Sequence, residues 1–256
     1  MAQDRFDVAD QVVVITGAGQ GIGREYALAF AKAGAIPVLA ELDGPNAARV
    51  AGEIEAAGGR SLPIETDVGD PASVAAMVQT TRKALGRIDV LVNNAAIFAT
   101  LPRRKFEDIP YEEWNRVIHV NITGSYLCAR AVVPSMREAG RGRIINIASG
   151  TVPKGVTGLM HYVTSKAAVV GMTRVMAREL GEANINVNAV MPGYTETEVD
   201  HACMDDKGRS YVQQARILKR PQTPDDLVGT ILFLASPASA FITGQTIACC
   251  GGEVML

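Results

Sequence analysis

Residues 12–23 read VVVITGAGQGIG, and this stretch decides the fold. The β-branched run at its start predicts a strand over 12–16, and the apolar spacing of residues 24–33 predicts a helix after the glycines. In a strand–loop–helix unit of this kind, Gly17, Gly21 and Gly23 allow a tight turn and a close backbone approach, and a pyrophosphate can rest on the helix N-terminus. The stretch therefore predicts a dinucleotide-binding α/β fold.

The next strand outward carries an acidic residue at its end. This strand is predicted over 36–40, and Glu41 follows it eighteen residues beyond Gly23. A carboxylate there can accept hydrogen bonds from the adenosine ribose hydroxyls, and it repels a 2′-phosphate. The glycine loop contains Gln20 rather than Arg or Lys, which agrees with that interpretation. The sequence thus predicts NAD rather than NADP, and the alternative is a solvated carboxylate at a strand end.

The rest of the chain alternates predicted strands and helices. Strands are expected over 62–66, 88–92, 143–148, 185–190 and 245–248. Helices are expected over 45–57 and 71–85, as one or two helices over 111–139, around Tyr162, and up to about Ala235. Seven strands alternating with about six helices predict a parallel sheet covered on both faces, with ligands at the carboxyl ends of the strands. Those ends are where Gly17, Glu41, Asp67, Asn94, Ser149 and Pro192 fall.

Tyr162 and Lys166 carry the clearest sign of chemistry. They are four residues apart in a run of helical spacing, so their side chains share a face. An ammonium beside a phenol favours the phenolate, which predicts a Tyr162 pKa below its ordinary value of about 10 and a role in general acid–base catalysis. Ser149 follows the apolar run 144–148, and its hydroxyl can hydrogen-bond the same substrate oxygen. A YxxxK pair alone is a moderate signal that gains weight from the glycine loop.

Composition and charge exclude several classes of protein. The chain has 256 residues, a formal net charge of −2 and no long block of one sign, which argues against a nucleic-acid surface. The four cysteines have neither CxxC spacing nor clustered histidines, so reduced thiols are expected and a metal site is not. The first residues carry acids and no apolar core, and no apolar run approaches the ~18 residues of a membrane span. A single cytoplasmic domain is the expectation.

Four further features have weaker signals. Asn121 lies mid-helix, where Asn is unfavourable, which suggests a binding role. Arg103, Arg104 and Lys105 form a basic cluster that is either a solvated face or a contact for an anionic substrate tail. Segment 194–219 mixes carboxylates with apolar residues beyond a strand end, which predicts a substrate lid. An apolar or aromatic substrate is predicted from the candidate pocket residues Val156, Leu159, Met160, Tyr194, Val199 and Met204.

Taken together, these motifs resemble the short-chain dehydrogenase/reductase family in its ~250-residue single-domain form. They occur in the family's order over essentially the whole chain. Ala96 stands where the family often has Gly, and Cys250 where it often has Asp. The matching residues are TGAGQGIG (16–23), DV (67–68), NNAA (93–96), Asn121, Ser149, YVTSK (162–166) and PGYTET (192–197).

The resemblance implies a Rossmann-type doubly wound fold, hydride transfer between nicotinamide and a carbonyl or alcohol carbon, and self-association as a homotetramer or dimer. It implies that Tyr162 is the acid/base and that Ser149 positions and polarises the substrate oxygen. It also implies that Lys166 holds the nicotinamide ribose and that Asn121 anchors a water in a proton relay. The NAD-binding set, in which the two threonines fix the carboxamide, is Gly17, Gln20, Gly21, Ile22, Gly23, Glu41, Asp67, Val68, Asn94, Ala95, Tyr162, Lys166, Thr195 and Thr197.

Three functions compete at this point. The first is an NAD-dependent oxidoreductase for a secondary alcohol or ketone, a small molecule with an apolar or aromatic body. The second is a 3-oxoacyl thioester reductase using NADPH, against which Glu41 counts. The third is a catalytically silent NAD-binding protein, which would have no need of Asn121, Ser149, Tyr162 and Lys166.

Overall fold

The structure is a computed structural model that describes residues 5–255. Within them, seven parallel strands form one sheet in the order β3-β2-β1-β4-β5-β6-β7. Because the order reverses between β1 and β4, the carboxyl ends of these two strands form the crevice in which such sheets bind ligands. The predicted Rossmann-type sheet is confirmed. Its strands are β1 Val12–Thr16, β2 Ile36–Glu41, β3 Leu62–Glu65, β4 Val90–Asn93, β5 Gly142–Ile147, β6 Ile185–Pro192 and β7 Thr246–Cys249.

Helices cover both faces of the sheet. Several begin at side-chain caps, such as Asp70, whose carboxylate accepts hydrogen bonds from the backbone N–H groups of Ala72 and Ser73. Helix ends at Gly86 and Gly140 use a left-handed backbone that glycine adopts without strain. The helices are α1 Gly21–Lys32, α2 Gly44–Ala56, α3 Pro71–Leu85, α4 Tyr111–Ile118, α5 Ser125–Ala139, α6 Thr151–Lys154, α7 Met160–Leu180, α8 Asp206–Ala215 and α9 Asp225–Ala235.

The core consists of two main apolar layers, one on each face. Side chains alternate along β1, so Val13 and Ile15 pack with residues of α1, α2 and α9. Val12 and Val14 point the other way and pack with residues of α3, α5 and the end of α7. The first layer includes Phe30 and Ile231 and the second Met77 and Met136. Burial on both faces fixes the sheet and hence the positions of its carboxyl ends.

The structure differs from the predicted elements in three places. The region 111–139 has the predicted bounds and contains two α-helices, but the π-helix His119–Gly124 that joins α4 to α5 was not predicted. Helix α1 begins three residues earlier than predicted, at Gly21, so the last glycines of the loop are already helical. Segment 194–219 contains the helix α8, which Asp205 caps by accepting from the Gly208 N–H at 2.8 Å.

Two further observations concern membrane spans and thiols. No helix within residues 5–255 has both the length and the apolar character needed to cross a bilayer. All four cysteines are free thiols.

Candidate active site

A cavity of about 610 Å³ opens at the carboxyl ends of the strands. All fourteen predicted NAD-binding residues line it, and so does Ser149. Asn121 is almost fully buried and does not line it. The alternation of strands and helices therefore brings residues from the whole length of the chain to one site.

The glycine loop packs closely against Asn94, which directly follows strand β4. An added Cβ on Gly23 would lie 2.0 Å from the carbonyl oxygen of Gly17 and 2.6 Å from Asn94 Nδ2. Asn94 Nδ2 in turn donates to the carbonyl oxygens of Thr16 and Gly17 at 3.0 and 3.1 Å. The Thr16 hydroxyl accepts from the N–H groups of Asn94 and Ala95, each at 3.0 Å. Gly23 is therefore required by internal packing, and Thr16, although it does not line the cavity, positions Asn94 and Ala95, which do.

Glu41 lies beside the same loop. Its Oε2 accepts from the Gly19 N–H at 2.9 Å, and Arg49 Nη2 donates to the Gly19 carbonyl oxygen at 2.7 Å. At the end of β3, Asp67 Oδ1 accepts from the Gly69 N–H at 2.8 Å. Two carboxylates thus line one end of the cavity, and both are oriented by backbone N–H groups.

Tyr162 and Lys166 lie on one face of α7, with exposed fractions of 7% and 3%. Lys166 Nζ donates to the carbonyl oxygen of Ile147 at 2.7 Å and lies 5.8 Å from the centroid of the Tyr162 ring. Ser149 Oγ accepts hydrogen bonds from Thr151 N–H and Thr151 Oγ1, at 3.2 and 3.0 Å. The end of β5 therefore supplies both the serine hydroxyl and the carbonyl that holds the lysine.

The pKa values of Tyr162 and Lys166 differ from the prediction made from their spacing. Burial raises the pKa of Tyr162 to about 12, and the hydrogen bond with Ser149 opposes that rise only in part. Burial also lowers the pKa of Lys166 to about 8. The predicted fall of the Tyr162 pKa is wrong because desolvation of the phenolate outweighs every favourable contact. Ser149 is the group that lowers this pKa.

Asn121 lies in the π-helix and hydrogen-bonds both the loop after β4 and helix α7. Its Oδ1 accepts from the Ile97 N–H at 2.8 Å, and its Nδ2 donates to Ile97 O at 3.3 Å and to Ser165 Oγ at 3.0 Å. Its carbonyl oxygen accepts from Ser125 Oγ at 3.0 Å. The side chain thus ties the loop after β4 to α7, and the implied role as a water anchor stays a prediction.

Segment 194–219 forms the outer wall of the cavity. Its residues Tyr194, Val199 and Met204 line the cavity as predicted, together with His201 and Cys203, which sequence reasoning missed. The segment is tied down by a backbone hydrogen bond of 2.7 Å from Ala202 N–H to Ala99 O. Residues of this segment contact parts of the chain that are far away in the sequence. Its own sequence therefore shows no regular pattern of charged and apolar residues.

Two residues of the basic cluster 103–105 make contacts within the protein. Arg103 donates from Nε to Cys203 O at 3.0 Å and from Nη1 to Thr157 O at 2.9 Å, so it holds segment 194–219. Arg104 lies 3.5 Å from Glu113. Among the predicted pocket residues, Val156 and Leu159 line the cavity, but Met160 does not and is 47% exposed. The prediction for Met160 is wrong because α7 begins there and turns that side chain outward.

Aromatic rings from three parts of the chain meet in the cavity. The Phe98 ring centroid is 4.5 Å from that of Tyr162 and 5.1 Å from that of His201. The Tyr194 and His201 centroids are 5.5 Å apart, and burial lowers the pKa of His201. We call Phe98, Tyr162, Tyr194 and His201 the aromatic wall. Only Tyr162 and Tyr194 were predicted, since Phe98 and His201 carry no motif that marks them.

The start of α1 is contacted by segment 194–219. The Gly21 N–H donates to Glu198 Oε1 at 2.8 Å. Thr197 Oγ1 accepts from the Val199 N–H at 3.2 Å, and Thr195 is buried in a bridge with Gln222. The Gly21 N–H is thus an anion-binding donor in the wall of the cavity, which fits the diphosphate of a dinucleotide.

Comparisons with known proteins agree along the whole chain. A family model described as enoyl-(acyl carrier protein) reductase matches residues 17–253. The (2S)-((R)-hydroxy(phenyl)methyl)succinyl-CoA dehydrogenase subunit BbsD of Thauera aromatica is 39% identical, covering 96% of this chain and 97% of that protein. A 3-oxoacyl-(acyl-carrier-protein) reductase of Synechocystis sp. is 40% identical, with 96% and 97% covered.

A solved structure has the same fold over the whole chain. It is a 7α-hydroxysteroid dehydrogenase complexed with NADH and 7-oxo glycochenodeoxycholic acid, and its TM-score is 0.93. It is 31% identical and covers 100% of this chain and 99% of its own.

Proposed function

This chain belongs to the short-chain dehydrogenase/reductase family, and we propose that it is an NAD-dependent member acting on a secondary alcohol or its ketone. The family makes it an oxidoreductase. One observation carries the finer proposal, namely that the Tyr162 phenol and the Ser149 hydroxyl line the same cavity as the glycine loop. Such a cavity can hold a nicotinamide and a carbonyl carbon side by side.

NAD, when bound, supplies the site that accepts or gives the hydride. The protein supplies the proton chemistry at the substrate oxygen. A Tyr162 pKa of about 12 keeps the phenol protonated at neutral pH, which is the form that donates to a ketone. Alcohol oxidation needs the phenolate, which Ser149 favours by lowering the pKa of Tyr162. Ser149 can also hydrogen-bond the substrate oxygen and hold it against Tyr162.

The preference for NAD rests on Glu41. Its carboxylate lines the cavity at the end of β2 and is held by the Gly19 N–H. A second negative charge at the adenosine ribose, as in NADP, would be repelled by it. Arg49 lies on the other side of Gly19, but it is bonded to the Gly19 carbonyl oxygen and to Glu53. Glu41 therefore stays the charge that discriminates.

The aromatic wall supports a substrate with an aromatic or other apolar body. Phe98 contacts both Tyr162 and His201, and His201 in turn contacts Tyr194, and all four residues line the cavity. Flat apolar groups pack well against such rings. Two relatives are named for substrates of that kind, one bearing a phenyl group and one a steroid.

A 3-oxoacyl thioester reductase is the second candidate. A relative that is 40% identical carries that name, and Arg103, which lines the cavity, also lines a neighbouring surface pocket with the basic residues Arg104 and Lys105. Glu41 counts against the NADPH that this alternative was predicted to use. An NADH-dependent thioester reductase would satisfy both observations.

An initial-rate screen distinguishes these candidates. Purified protein is assayed with aryl secondary alcohols, hydroxysteroids and 3-hydroxyacyl thioesters, each with NAD and NADP in parallel. Strong NAD-linked oxidation of an alcohol that lacks a thioester supports the first proposal. Faster turnover of thioesters, or of any substrate with NADP, overturns it.

Tyr162→Phe tests the catalytic role directly. We expect turnover to fall by roughly 10²- to 10⁴-fold, because the variant lacks the transferable proton. The dissociation constant of NADH should stay within twofold, measured by calorimetry. The matched control is Tyr126→Phe, at a half-exposed position on α5. Undiminished turnover in Tyr162→Phe would sink the assignment, and tight NADH binding without turnover in the wild type would favour the silent NAD-binding protein.

A further inference from the structure

The first turn of α1 is capped by a residue that lies far away in the sequence. Gly21 N–H donates to Glu198 Oε1 at 2.8 Å, across 177 residues. The residue before the helix, Gln20, makes no side-chain capping bond, and the first turn of α1 contains no acidic residue. Negative charge at a helix N-terminus is stabilising. Glu198, which lies outside this helix, therefore supplies the negative charge that the first turn of α1 lacks.

The neighbours of Glu198 also pack on the glycine loop. A Cβ added to Gly21 would lie 3.6 Å from Val199 Cγ2 and 3.8 Å from Thr197 Oγ1. The pKa of Arg24, in the same helix, is raised chiefly by Glu53 and to a smaller extent by Glu198. Residues 197–199 thus lie on the loop as a unit.

We propose that Glu198 is an internal competitor for the diphosphate of the dinucleotide, so that its carboxylate must leave Gly21 before the cofactor can bind there. The inference rests on the proposed function, in that the ligand is a dinucleotide. One N–H donor cannot serve two anions at full strength, and two negative charges at the same helix end repel each other. Dinucleotide affinity is therefore lowered by the free energy of the Glu198 contact.

Displacing Glu198 also affects the substrate side of the cavity. Val199, His201 and Cys203 follow Glu198 within five residues and line the cavity. Movement of residues 197–199 away from Gly21 shifts the start of that wall. Glu198 is thus a positioning residue that links occupancy of the glycine loop to the shape of the substrate pocket.

The test compares Glu198→Gln with Glu196→Gln by calorimetry. The Glu198→Gln variant loses the charge but keeps the size of the side chain. Glu196 is the matched control because, within residues 5–255, its carboxylate makes no hydrogen bond to the glycine loop. The probes are ADP, which carries a diphosphate, adenosine, which carries none, and NADH.

We expect Glu198→Gln to bind ADP and NADH about three- to tenfold more tightly, the range set by one charged contact at a helix N-terminus. Adenosine should bind as it does to the wild type, and Glu196→Gln should match the wild type with all three probes. Unchanged ADP affinity overturns the proposal. Equal tightening of adenosine also overturns it, because that result indicates general loosening of the cavity.

Trypsin cleavage without ligand gives a readout independent of affinity. Lys207 and Arg209 lie in α8, soon after the Glu198 contact. Cleavage there should be several-fold faster in Glu198→Gln than in the wild type or Glu196→Gln, and an unchanged rate argues against the tether. Failure of the wild type to bind NADH would sink the proposed function itself. NADH binding with the same affinity in wild type and Glu198→Gln would sink only this inference.

Discussion

The two sides of the cavity are built differently. On the glycine-loop side, backbone groups of Thr16 and Gly17 are bonded to Asn94, and Gly23 fits against them with no room for a methyl group. On the opposite side, segment 194–219 is held by contacts such as that of Arg103 with Cys203 and that of Glu198 with Gly21. The first side leaves no room for a side chain at Gly23, whereas the second depends on pairs far apart in sequence. Rigid packing produces a strong motif on the first side, whereas on the second side the motif ends at Thr197 and the tethered residues beyond it carry none.

Gly23→Ala would break the packed side and should have the largest effect. The added Cβ would meet the Gly17 carbonyl oxygen at 2.0 Å, a backbone atom that cannot turn away. We expect the free energy of unfolding to fall by about 3 kcal/mol or more, measured by urea denaturation. The control is Gly229→Ala in α9, where the added Cβ would meet no atom of residues 5–255 within 4 Å apart from its chain neighbours and the backbone of its own helix. That variant should gain roughly 0.5–1 kcal/mol, the usual helical preference for alanine.

A wild-type level of stability in Gly23→Ala would mean that the loop can shift away from Asn94. The contrast between a packed and a tethered side would then fail. A loss of equal size in Gly229→Ala would show that the effect is not specific to the loop.

Lys166→Met sharpens the comparison through the pH dependence of stability. The folded-state pKa of Lys166 is about 8, below its ordinary value of 10.5, because burial disfavours the charge. Between these values the unfolded chain binds more protons, so the Lys166 contribution raises the free energy of unfolding with pH. The slope is up to ~1.4 kcal/mol per pH unit. The variant lacks this contribution, so its plot should be flatter than the wild-type plot from about pH 8 to pH 10.

The measurement is urea denaturation at intervals of half a pH unit. Tyr162, with a folded-state pKa of about 12, loses protons in the unfolded chain only near its ordinary value of about 10, so it affects both proteins alike above the window. Lys83→Met, at an exposed position in α3, is the control and should follow the wild type. Parallel plots for wild type and Lys166→Met would contradict the lowered folded-state pKa of Lys166.

Phe98→Leu probes the tethered side and should have the smallest effect. The variant keeps an apolar side chain but loses the ring that stacks near Tyr162 and His201. We expect kcat/KM for aryl ketones to fall about three- to tenfold, the value of one aromatic contact. Rates for a small aliphatic ketone should change by less than twofold. An equal loss for both ketones would point to misplacement of Tyr162 rather than to substrate recognition.

The sequence predicted the sheet and the location of the packed side almost residue by residue. Strand β1 and helix α3 have the predicted bounds, because β-branched runs and Pro or Asp caps are local signals. Glu41 and Ser149 fall at strand ends for the same reason.

What the sequence could not supply depends on three-dimensional neighbours. Phe98 and His201 meet Tyr162 only after the chain folds, and the pKa of Tyr162 depends on how much water its phenol loses. Met160 carried the same apolar signal as Leu159, and only the exact start of α7 decides which of the two faces the cavity. The Glu198 contact joins residues 177 positions apart, and no local pattern marks it.

The π-helix His119–Gly124 has a consequence for how this part of the chain can be altered. An α-helix advances by about 100° per residue, so one extra residue in a turn rotates everything after it by that angle. Leu127, Cys128 and Val132 of α5 face the core because the extra residue has rotated α5 in this way. Deleting one residue within the π-helix would give a smoother helix whose apolar stripe faces the wrong way. The irregular turn thus sets the rotation of α5 about its axis, and any change in the number of residues within it changes which side of α5 meets the core.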